Sequence, residues 1–390
     1  MRYRWVVLAV GALAQGVNAA VFLGLPAITP QLREHFGLTL PQVGVLLGAV
    51  NLGTMVALVP WGAVADRRGE RLVMAVGGFG SAAFLAVTAL DGPVVAGVAL
   101  VGVGLFGASV NAASGRAVMN WFPADRRGLA MGIRQTATPL GAALTAAVLP
   151  VVAVHDGVPG AFLALAGVTA AVAVAVAVWV REPPDAVRSR RGQGLFVKDA
   201  RLIRVSVAGG LLVVPQFTAA TLAVELLHEH RGVAAGVAAG LFAVAQVVGG
   251  AGRLAVGVWS DRARSRLGPL RIIAVAVACG FALCAALADA APVWLLAAVL
   301  IPAAAAATCW NGLALTAAGE LAPAGRSATA MATQNSVNYL VATITPPIAG
   351  WVAVTIGWSA ALLLAAAAAV GARLLLTVAL APGQLVPELP

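Results

Sequence analysis

The sequence has few charged residues, and this shortage indicates its class. Only 10% of the 390 residues are Asp, Glu, Lys or Arg, against about 25% in an ordinary soluble domain. At the same time 61% of the residues are apolar, more than a chain of this size can hide from water. A bilayer removes that limit, because apolar helices of about 20 residues span its hydrocarbon core. The composition predicts an integral membrane protein.

The sequence also lacks the motifs of several classes of metal-binding, ATP-binding and catalytic proteins. The three cysteines, Cys279, Cys284 and Cys309, all lie in apolar runs, so no disulfide framework or metal site is indicated. The four histidines follow no H-E-x-x-H spacing, and no G-x-x-x-x-G-K-[ST] sequence for ATP is present. No nucleophile, base and orienting group form a catalytic set. We expect neither an enzyme nor a bound cofactor or metal.

Basic residues outnumber acidic ones, and their placement argues for a membrane and against nucleic acid. The chain carries 25 Lys and Arg against 15 Asp and Glu, a net charge of +10. These residues lie in short loops between apolar runs, so we expect no nucleic-acid partner. Nineteen of the 25 fall on one side of the predicted spans. The positive-inside rule makes that side cytoplasmic, which predicts a plasma-membrane protein with both termini in the cytoplasm.

Twelve apolar runs are present, and most have the length of a membrane-spanning helix. Barrel strands would be about half as long, and lipid offers no partner for free backbone groups, so all runs are expected to be helices. The first run is longer than the core of a signal peptide, the alternative for that segment. The runs cover residues 5–27, 41–60, 72–90, 93–119, 128–150, 160–180, 203–225, 233–258, 270–289, 292–317, 328–350 and 359–381.

The longest polar interruption divides these runs six and six. It holds Pro183, Pro184 and the basic pair Arg190-Arg191, a composition typical of a linker. We predict a six-helix bundle over residues 1–180, a cytoplasmic linker over 181–202 and a second six-helix bundle over 203–390.

A charged turn recurs in the two halves, 195 positions apart. The first copy runs from Gly62 to Asp66-Arg67, and the second from Gly257 to Asp261-Arg262. At an offset of 200, further pairs match in one register: Asn111 with Asn311, Pro123-Ala124 with Pro323-Ala324, Arg126 with Arg326, and Ala130-Met131 with Ala330-Met331. The register indicates duplicated halves, which implies pseudo-twofold symmetry.

These features resemble the major facilitator superfamily over essentially the full chain. The turn Gly62…Asp66-Arg67-Arg68-Gly69-Glu70-Arg71 is similar to the family's G-x-x-x-D-[RK]-x-G-[RK]-[RK] signature, from which Glu70 departs. The resemblance implies two six-helix bundles and a secondary transporter that works by alternating access around one site near the midplane. Gly252-Arg253 with Gly257 and Asp261 is similar to the eighth helix of oxalate and monocarboxylate carriers, where the arginine meets the substrate carboxylate. The Arg-x-x-Gln-Gly signature of many proton-coupled drug exporters is absent.

Four arginines lie inside the predicted spans, where a charge is costly. We expect Arg134, Arg253 and Arg116 to contact substrate, and Arg373 to extend toward the membrane surface. No Asp or Glu lies near the middle of a span, so buried positive charge lacks a fixed counter-ion. An anionic substrate would supply it through bidentate guanidinium contacts. The competing interpretation is that these arginines make structural contacts near the cytoplasmic surface.

Amides and one tyrosine complete the expected polar lining of the site. Four neighbouring polar residues form one face of the eleventh run, although amides also hold helices together without touching a ligand. The full set of expected substrate-binding residues is Arg134, Arg253, Gln135, Asn111, Asn311, Gln334, Asn335, Asn338, Tyr339, Gln15, Asn18 and Arg116.

The repeated turns are expected to control conformation without contacting substrate. Asp66 is able to pair with a basic residue or a helix N-terminus of the opposite bundle, and we expect such pairs only in the outward-facing state. The set expected to act in this way is Gly62, Asp66, Arg67, Arg71, Gly257, Asp261 and Arg262.

The sequence thus predicts a monomeric secondary transporter of a small organic solute, anionic and carboxylate-like. Its expected partners are that solute, the lipid bilayer and a coupling proton or counter-solute. Two alternatives stay open: an exporter of drugs or neutral compounds, and a non-transporting receptor or scaffold, which would need a soluble domain that no loop here provides.

Overall fold

The computed structural model describes residues 3–90, 92–183 and 199–378. Within these ranges, twelve helical segments are long and apolar enough to cross a membrane, which confirms the expected all-α fold. Residues 184–198, most of the predicted linker, lie outside the described residues, as do both chain ends, so the linker and the position of the termini stay predictions.

The twelve segments contain fourteen α-helices, because the first and tenth segments are interrupted. The helices are α1 (Tyr3–Gly24), α2 (Thr29–Phe36), α3 (Leu40–Arg68), α4 (Glu70–Thr88), α5 (Pro93–Trp121), α6 (Arg127–His155), α7 (Gly157–Trp179), α8 (Ala200–Glu225), α9 (Ala235–Arg262), α10 (Leu267–Leu287), α11 (Val293–Cys309), α12 (Asn311–Leu321), α13 (Ser327–Thr355) and α14 (Trp358–Val378).

Local sequence explains several helix ends. Thr39 and Gln42 form a capping box at the start of α3, where the Thr39 backbone N–H donates to Gln42 Oε1 over 2.8 Å. Gly37 ends α2 in the left-handed conformation, φ 64°. Gly69 separates α3 from α4 with φ 91°, a value that strains any residue with a Cβ. The charged turn is therefore a sharp, sequence-encoded break between two spans.

By contacts the chain forms two compact units. Unit 1 comprises Met1–Val197 together with Ala322–Ser336, and unit 2 comprises Lys198–Leu321 together with Val337–Pro390. The first turns of α13 thus pack with unit 1 although they follow the second half in sequence. The predicted bundle boundaries, which rest on sequence continuity, stay a prediction.

Each unit has an apolar core in which Val, Leu and Ala predominate, and glycines allow some helices to approach closely. In unit 1, α3 and α5 approach so closely that a Cβ at Gly53 would overlap the Val101 carbonyl, and one at Gly104 would overlap the Val50 carbonyl. Thr54 Oγ1 donates to the Gly104 carbonyl over 3.2 Å across the same contact. Small residues allow this approach where lipid supplies no hydrophobic force between helices. In unit 2 the largest fully buried side chain is Trp310, between α11 and α12.

Candidate functional site

Arg134, on α6, is the centre of a buried polar network in unit 1. Its side chain is 2% exposed. Nε donates to Ser114 Oγ over 2.8 Å, and one terminal nitrogen donates to Gln15 Oε1 over 3.0 Å and to the Asn111 carbonyl over 3.1 Å. The other terminal nitrogen donates to Gln135 Oε1 over 2.9 Å. These contacts orient the guanidinium with neutral acceptors.

The acceptors around Arg134 are themselves connected. Gln15 Nε2 donates to Asn111 Oδ1 over 2.7 Å, so the Gln15 amide of α1 and the Asn111 carbonyl of α5, both bound to Arg134, are held together. Four of the twelve expected binding residues, Arg134, Gln135, Gln15 and Asn111, therefore lie together. Ser114 belongs to the same network, and sequence analysis missed it, because a serine in an apolar helix carries no signal of its own.

Two thioethers lie near Arg134, and a buried amide follows one of them by a turn of α13. The second terminal nitrogen of Arg134 reaches Met131 Sδ at 3.6 Å, and a Cβ built on Gly115 would lie 2.9 Å from Met331 Sδ and 3.9 Å from Arg134 Cζ. Gln334 follows Met331 by three residues on α13, so it lies on the same face of that helix. The Gln334 side chain is fully buried, and neither its Nε2 nor its Oε1 has a hydrogen-bond partner in the described part of the chain.

Arg116 forms ion pairs that the sequence did not predict. Its terminal nitrogen pairs with Glu70 Oε2, and its Nε lies 3.4 Å from Asp66 Oδ1, with all three side chains at most 1% exposed. The expectation that buried arginines lack fixed counter-ions is wrong for Arg116, because the ends of α3, α4 and α5 bring two carboxylates to it. We therefore leave Arg116 out of the proposed substrate site.

Asp66 also holds the first turn of α13. Its carboxylate accepts hydrogen bonds from the backbone N–H groups of Ala328 (3.0 Å) and Thr329 (2.8 Å) and from Thr329 Oγ1 (2.5 Å). The interaction is favourable because a helix N-terminus carries free N–H groups and partial positive charge. Gly62, one turn earlier, packs against the same helix, since a Cβ there would lie 2.9 Å from both the Ala328 carbonyl oxygen and Ala332 Cβ.

The other members of the first charged turn lie nearer the surface. Arg67 is exposed, and Arg71 Nε donates to the Ala177 carbonyl at the end of α7 over 2.8 Å. Arg71 therefore ties the start of α4 to α7.

The second charged turn, in unit 2, builds a comparable cluster from other positions. Arg266 donates to Asp261 Oδ1 over 2.6 Å and to Ser260 Oγ over 2.7 Å, and contacts Glu320 on α12 at 3.2 Å. Burial lowers the pKa of Arg266, but attraction by Glu320 and Asp261 outweighs it and leaves the pKa raised. Gly257 is buried, whereas Arg262 is exposed.

Arg253 lies at the interruption between α11 and α12. Its Nε donates to the Thr308 carbonyl over 2.9 Å, next to the break at Trp310. Asn311, the first residue of α12, donates to Gln216 Oε1 over 3.0 Å. Backbone polar groups that lose their helical partners at an interruption are tolerated in a membrane span where neighbouring groups hydrogen-bond to them. Arg253 provides such a hydrogen bond to the Thr308 carbonyl.

The remaining expected residues do not form one group. Asn18 lines a small cavity between α1, α4, α5 and α7 with Ser81 and Thr169, away from the Arg134 contacts. The polar face of the eleventh span is divided, because Gln334 and Asn335 belong to unit 1 while Asn338 and Tyr339 belong to unit 2. Among the described residues, no group of three or more His, Cys, Asp or Glu is arranged to hold a metal ion.

Comparison with known proteins identifies the family. Residues 8–345 match the family model of the Major Facilitator Superfamily. The chain belongs to this superfamily. Since members are membrane transporters, the geometry above is that of a multi-pass transporter with twelve spans, as expected from the sequence.

Superfamily relatives of the chain have varied names. An uncharacterized MFS-type transporter of Mycobacterium tuberculosis (strain ATCC 25618 / H37Rv) is 36% identical over 358 residues, 89% of this chain and 79% of the relative. A probable L-galactonate transporter of Escherichia coli (strain K12) is 28% identical over 34% of this chain and 30% of its own length. A probable sulfoacetate transporter of Cupriavidus necator is 29% identical over 42% of this chain and 38% of its own.

Solved superfamily structures share the fold. A bacterial homologue of the iron transporter ferroportin superposes with a TM-score of 0.80 at 11% identity, over 97% of this chain and 99% of that chain. The transporter FucP in the outward conformation gives 0.78 at 15% identity, over 96% and 98%. At these identities the likeness concerns the fold alone.

Proposed function

We propose that this transporter moves a small organic anion, of the carboxylate or sulfonate class, across the plasma membrane by alternating access. The observation that carries the proposal is the buried guanidinium of Arg134, oriented by Ser114, Gln15, Asn111 and Gln135. Two amide oxygens, a backbone carbonyl and a hydroxyl accept hydrogen bonds from it and fix its direction.

An anion is the natural ligand of such a group. A positive charge inside a span costs at least about 2.5–3.5 kcal/mol on insertion scales, and a bound carboxylate offsets part of that cost. One N–H of Arg134 donates to Met131 Sδ at 3.6 Å, and a thioether is a weak acceptor. A carboxylate or sulfonate oxygen therefore replaces this contact with a stronger, charge-assisted one.

Gln334 is the second group that we assign to the anion. A buried amide with both polar atoms unpaired costs about 1–3 kcal/mol, and this cost disappears if the amide hydrogen-bonds to a ligand. Gln334 follows Met331 by one turn of α13, and Met331 and Arg134 both lie near Gly115; this supports assigning Gln334 to the same anion.

Two relatives support an anionic cargo. The probable L-galactonate and sulfoacetate transporters are both named for organic anions. Each aligns with less than half of this chain, so the names support the class of substrate and no particular compound.

The charged turns supply the conformational part of the proposal. The contact of Asp66 with Thr329, packed by Gly62, forms in one conformational state and opens in the other, and Arg67 and Arg71 belong to the same charged turn. We assign a conformational part also to Gly257, Asp261 and Arg262 of unit 2, where Asp261 accepts a hydrogen bond from Arg266 instead of from another helix N-terminus. We further propose a monomer in the lipid bilayer with both termini cytoplasmic and with a proton or counter-solute driving transport.

Transport by reconstituted protein tests the proposal. Proteoliposomes are loaded with sulfoacetate, L-galactonate or oxalate, and counterflow of the labelled compound is followed. Arg134→Gln is expected to reduce counterflow at least tenfold, the effect of about 1.4 kcal/mol, while the protein still inserts. Arg373→Gln removes an arginine from a different span and is the matched control, expected to leave counterflow unchanged.

Two results would contradict the proposal. Unchanged kinetics in Arg134→Gln would remove Arg134 from the site. Counterflow of amines or neutral compounds, with none of any anion, would replace the anion by the drug or neutral class.

A further inference from the structure

Basic and aromatic side chains gather at one end of unit 1, where α1 begins and α5 and α7 end. Tyr3 Oη donates to the Trp179 carbonyl over 2.6 Å, and Trp121 Nε1 donates to the Arg181 carbonyl over 2.8 Å. The Tyr3 and Trp121 rings lie 5.8 Å apart. These bonds fix the ends of three spans in one layer, which we call the interfacial cluster: Tyr3, Arg4, Trp5, Trp121, Phe122, Trp179 and Arg181.

Both arginines of the interfacial cluster are held by ring faces. Arg181 Cζ lies 5.0 Å from the centre of the Tyr3 ring, and Arg4 Cζ lies 5.6 Å from that of Phe122 and 5.9 Å from that of Trp5. Cation–π contacts of this length orient a guanidinium while leaving its charge in place.

Neither arginine has a carboxylate partner in the described ranges. Glu182, the residue after Arg181, instead contacts Gly69 at the turn between α3 and α4. Arg4 Nε is moreover shielded from water and without a hydrogen-bond acceptor among the described residues. The cluster therefore presents two oriented positive charges.

An apolar stripe continues from the cluster along α7. Trp179 is 51% exposed, and Val178 and Val174 below it are exposed to a similar degree at a spacing of four residues, which places them on one face. Trp5 is also exposed, so two indoles stand beside the two arginines. Tryptophan and tyrosine at this depth are typical of the membrane–water interface.

We propose that the interfacial cluster binds the headgroup of an anionic phospholipid, with one acyl chain lying along the Val174–Val178 face of α7. Arg4 and Arg181 contact the headgroup phosphate, the Trp5 and Trp179 N–H groups donate to headgroup oxygens, and the apolar stripe accommodates the chain. This lipid site is independent of the transported solute, and no step of transport is assigned to it.

Lipid-dependent stability of the purified full-length protein tests the site. The protein in neutral detergent micelles is titrated with palmitoyl-oleoyl phosphatidylglycerol, palmitoyl-oleoyl phosphatidylcholine or inorganic phosphate, and the thermal unfolding midpoint is recorded. Phosphatidylglycerol is expected to raise the midpoint of the unmodified protein, and the other two are expected to have much smaller effects. Equal effects of phosphatidylcholine, or of inorganic phosphate, would overturn an anionic lipid site.

Two double variants that remove the same charge distinguish a specific lipid site from general attraction of anionic lipid to a basic protein. Arg4→Gln with Arg181→Gln is expected to weaken phosphatidylglycerol binding about 25-fold, from about 1 kcal/mol per arginine at 1.4 kcal/mol per tenfold. Arg68→Gln with Arg264→Gln removes the same charge from two exposed arginines and is expected to retain binding. Equal loss in both double variants would overturn the proposal.

A single substitution keeps the test decisive if the first double variant does not fold. Arg181 is exposed and follows the end of α7, so Arg181→Gln alone is expected to fold and to bind phosphatidylglycerol about fivefold more weakly, the effect of about 1 kcal/mol. Binding by Arg181→Gln equal to that of the unmodified protein would contradict the assignment.

Discussion

The two charged clusters share a sequence motif but differ in burial. In unit 1, Arg116, Asp66 and Glu70 are at most 1% exposed. In unit 2, the side chains of Arg266, Asp261 and Glu320 are 9%, 7% and 26% exposed. An ion pair deprived of water loses much more when one partner is removed than a pair near the surface does. Removing one partner of the charged cluster is therefore expected to cost more stability in unit 1 than in unit 2.

The positions of the arginine and the glutamate are reversed between the two clusters. In unit 1 the arginine lies near the end of α5 and the glutamate begins α4. In unit 2 the glutamate lies near the end of α12, and Arg266 precedes α10. The comparison shows that duplication preserved the meeting of these helix ends and not the identity of the charges.

The two aspartates have separate uses. Asp66 accepts from the first turn of α13, whereas Asp261 binds Arg266, five residues along the chain. The aspartate of the first charged turn thus bonds to another helix, α13, whereas the aspartate of the second charged turn bonds to an arginine a few residues along the chain.

Removing each arginine is expected to have the largest effect on stability. Arg116→Gln leaves Asp66 and Glu70 together without their guanidinium, and we expect a loss of about 3–5 kcal/mol in the free energy of unfolding. Arg266→Gln is the matched variant and is expected to cost about 1–3 kcal/mol, because water reaches Glu320. Thermal unfolding in detergent compares them, and equal losses would contradict the difference in burial.

Exchanging the charges of Arg266 and Glu320 in unit 2 tests whether these two side chains interact. Glu320→Arg places two arginines together and is expected to destabilise by about 1–2 kcal/mol. Adding Arg266→Glu recreates the sign pattern of unit 1 and is expected to recover at least about 1 kcal/mol of coupling. The double-mutant cycle measures this, and strictly additive losses would show that the two side chains do not interact.

Gly62 tests whether α3 packs against α13 as closely as described. A Cβ there meets the Ala328 carbonyl oxygen and Ala332 Cβ at 2.9 Å, so Gly62→Ala is expected to cost about 1–3 kcal/mol. Gly48, on the same helix, has nothing within 4 Å of a built Cβ, and Gly48→Ala is the control with no expected loss. A Gly62→Ala protein as stable as Gly48→Ala would contradict the contact.

A third, exposed cluster gives the smallest effect. Hydrogen bonds from Ser359 and His230 lower the pKa of Asp289, in the loop before α11. A lowered pKa in the folded state means that the stabilisation is present above the usual carboxyl value of about 3.9 and is lost as the pH falls through the folded pKa. Asp289→Asn is expected to lower the unfolding midpoint slightly at pH 7 and not at pH 3; a deficit that is the same at both values would contradict this assignment.

The sequence predicted the spans well, because apolar length and the need to satisfy backbone groups decide them locally. It did not predict the interruption at Trp310, since that break is accompanied by a tertiary contact, Arg253 with the Thr308 carbonyl. It identified Arg134 with Gln15 and Asn111 as polar residues in lipid-length helices. It did not predict the ion pair of Arg116, because only folding shows that Glu70, the residue that departs from the basic preference of the motif, faces that arginine.

Arg134 is proposed to bind an organic anion. The most direct measurement is the thermal unfolding midpoint of purified protein, unmodified and Arg134→Gln, with small carboxylates, sulfonates, amines and neutral drugs. A ligand at a hundred times its Kd stabilises by about 2.7 kcal/mol, so an anion is expected to raise the midpoint of the unmodified protein and not that of Arg134→Gln. Stabilisation by amines or neutral drugs alone, or an undiminished shift in Arg134→Gln, would contradict it.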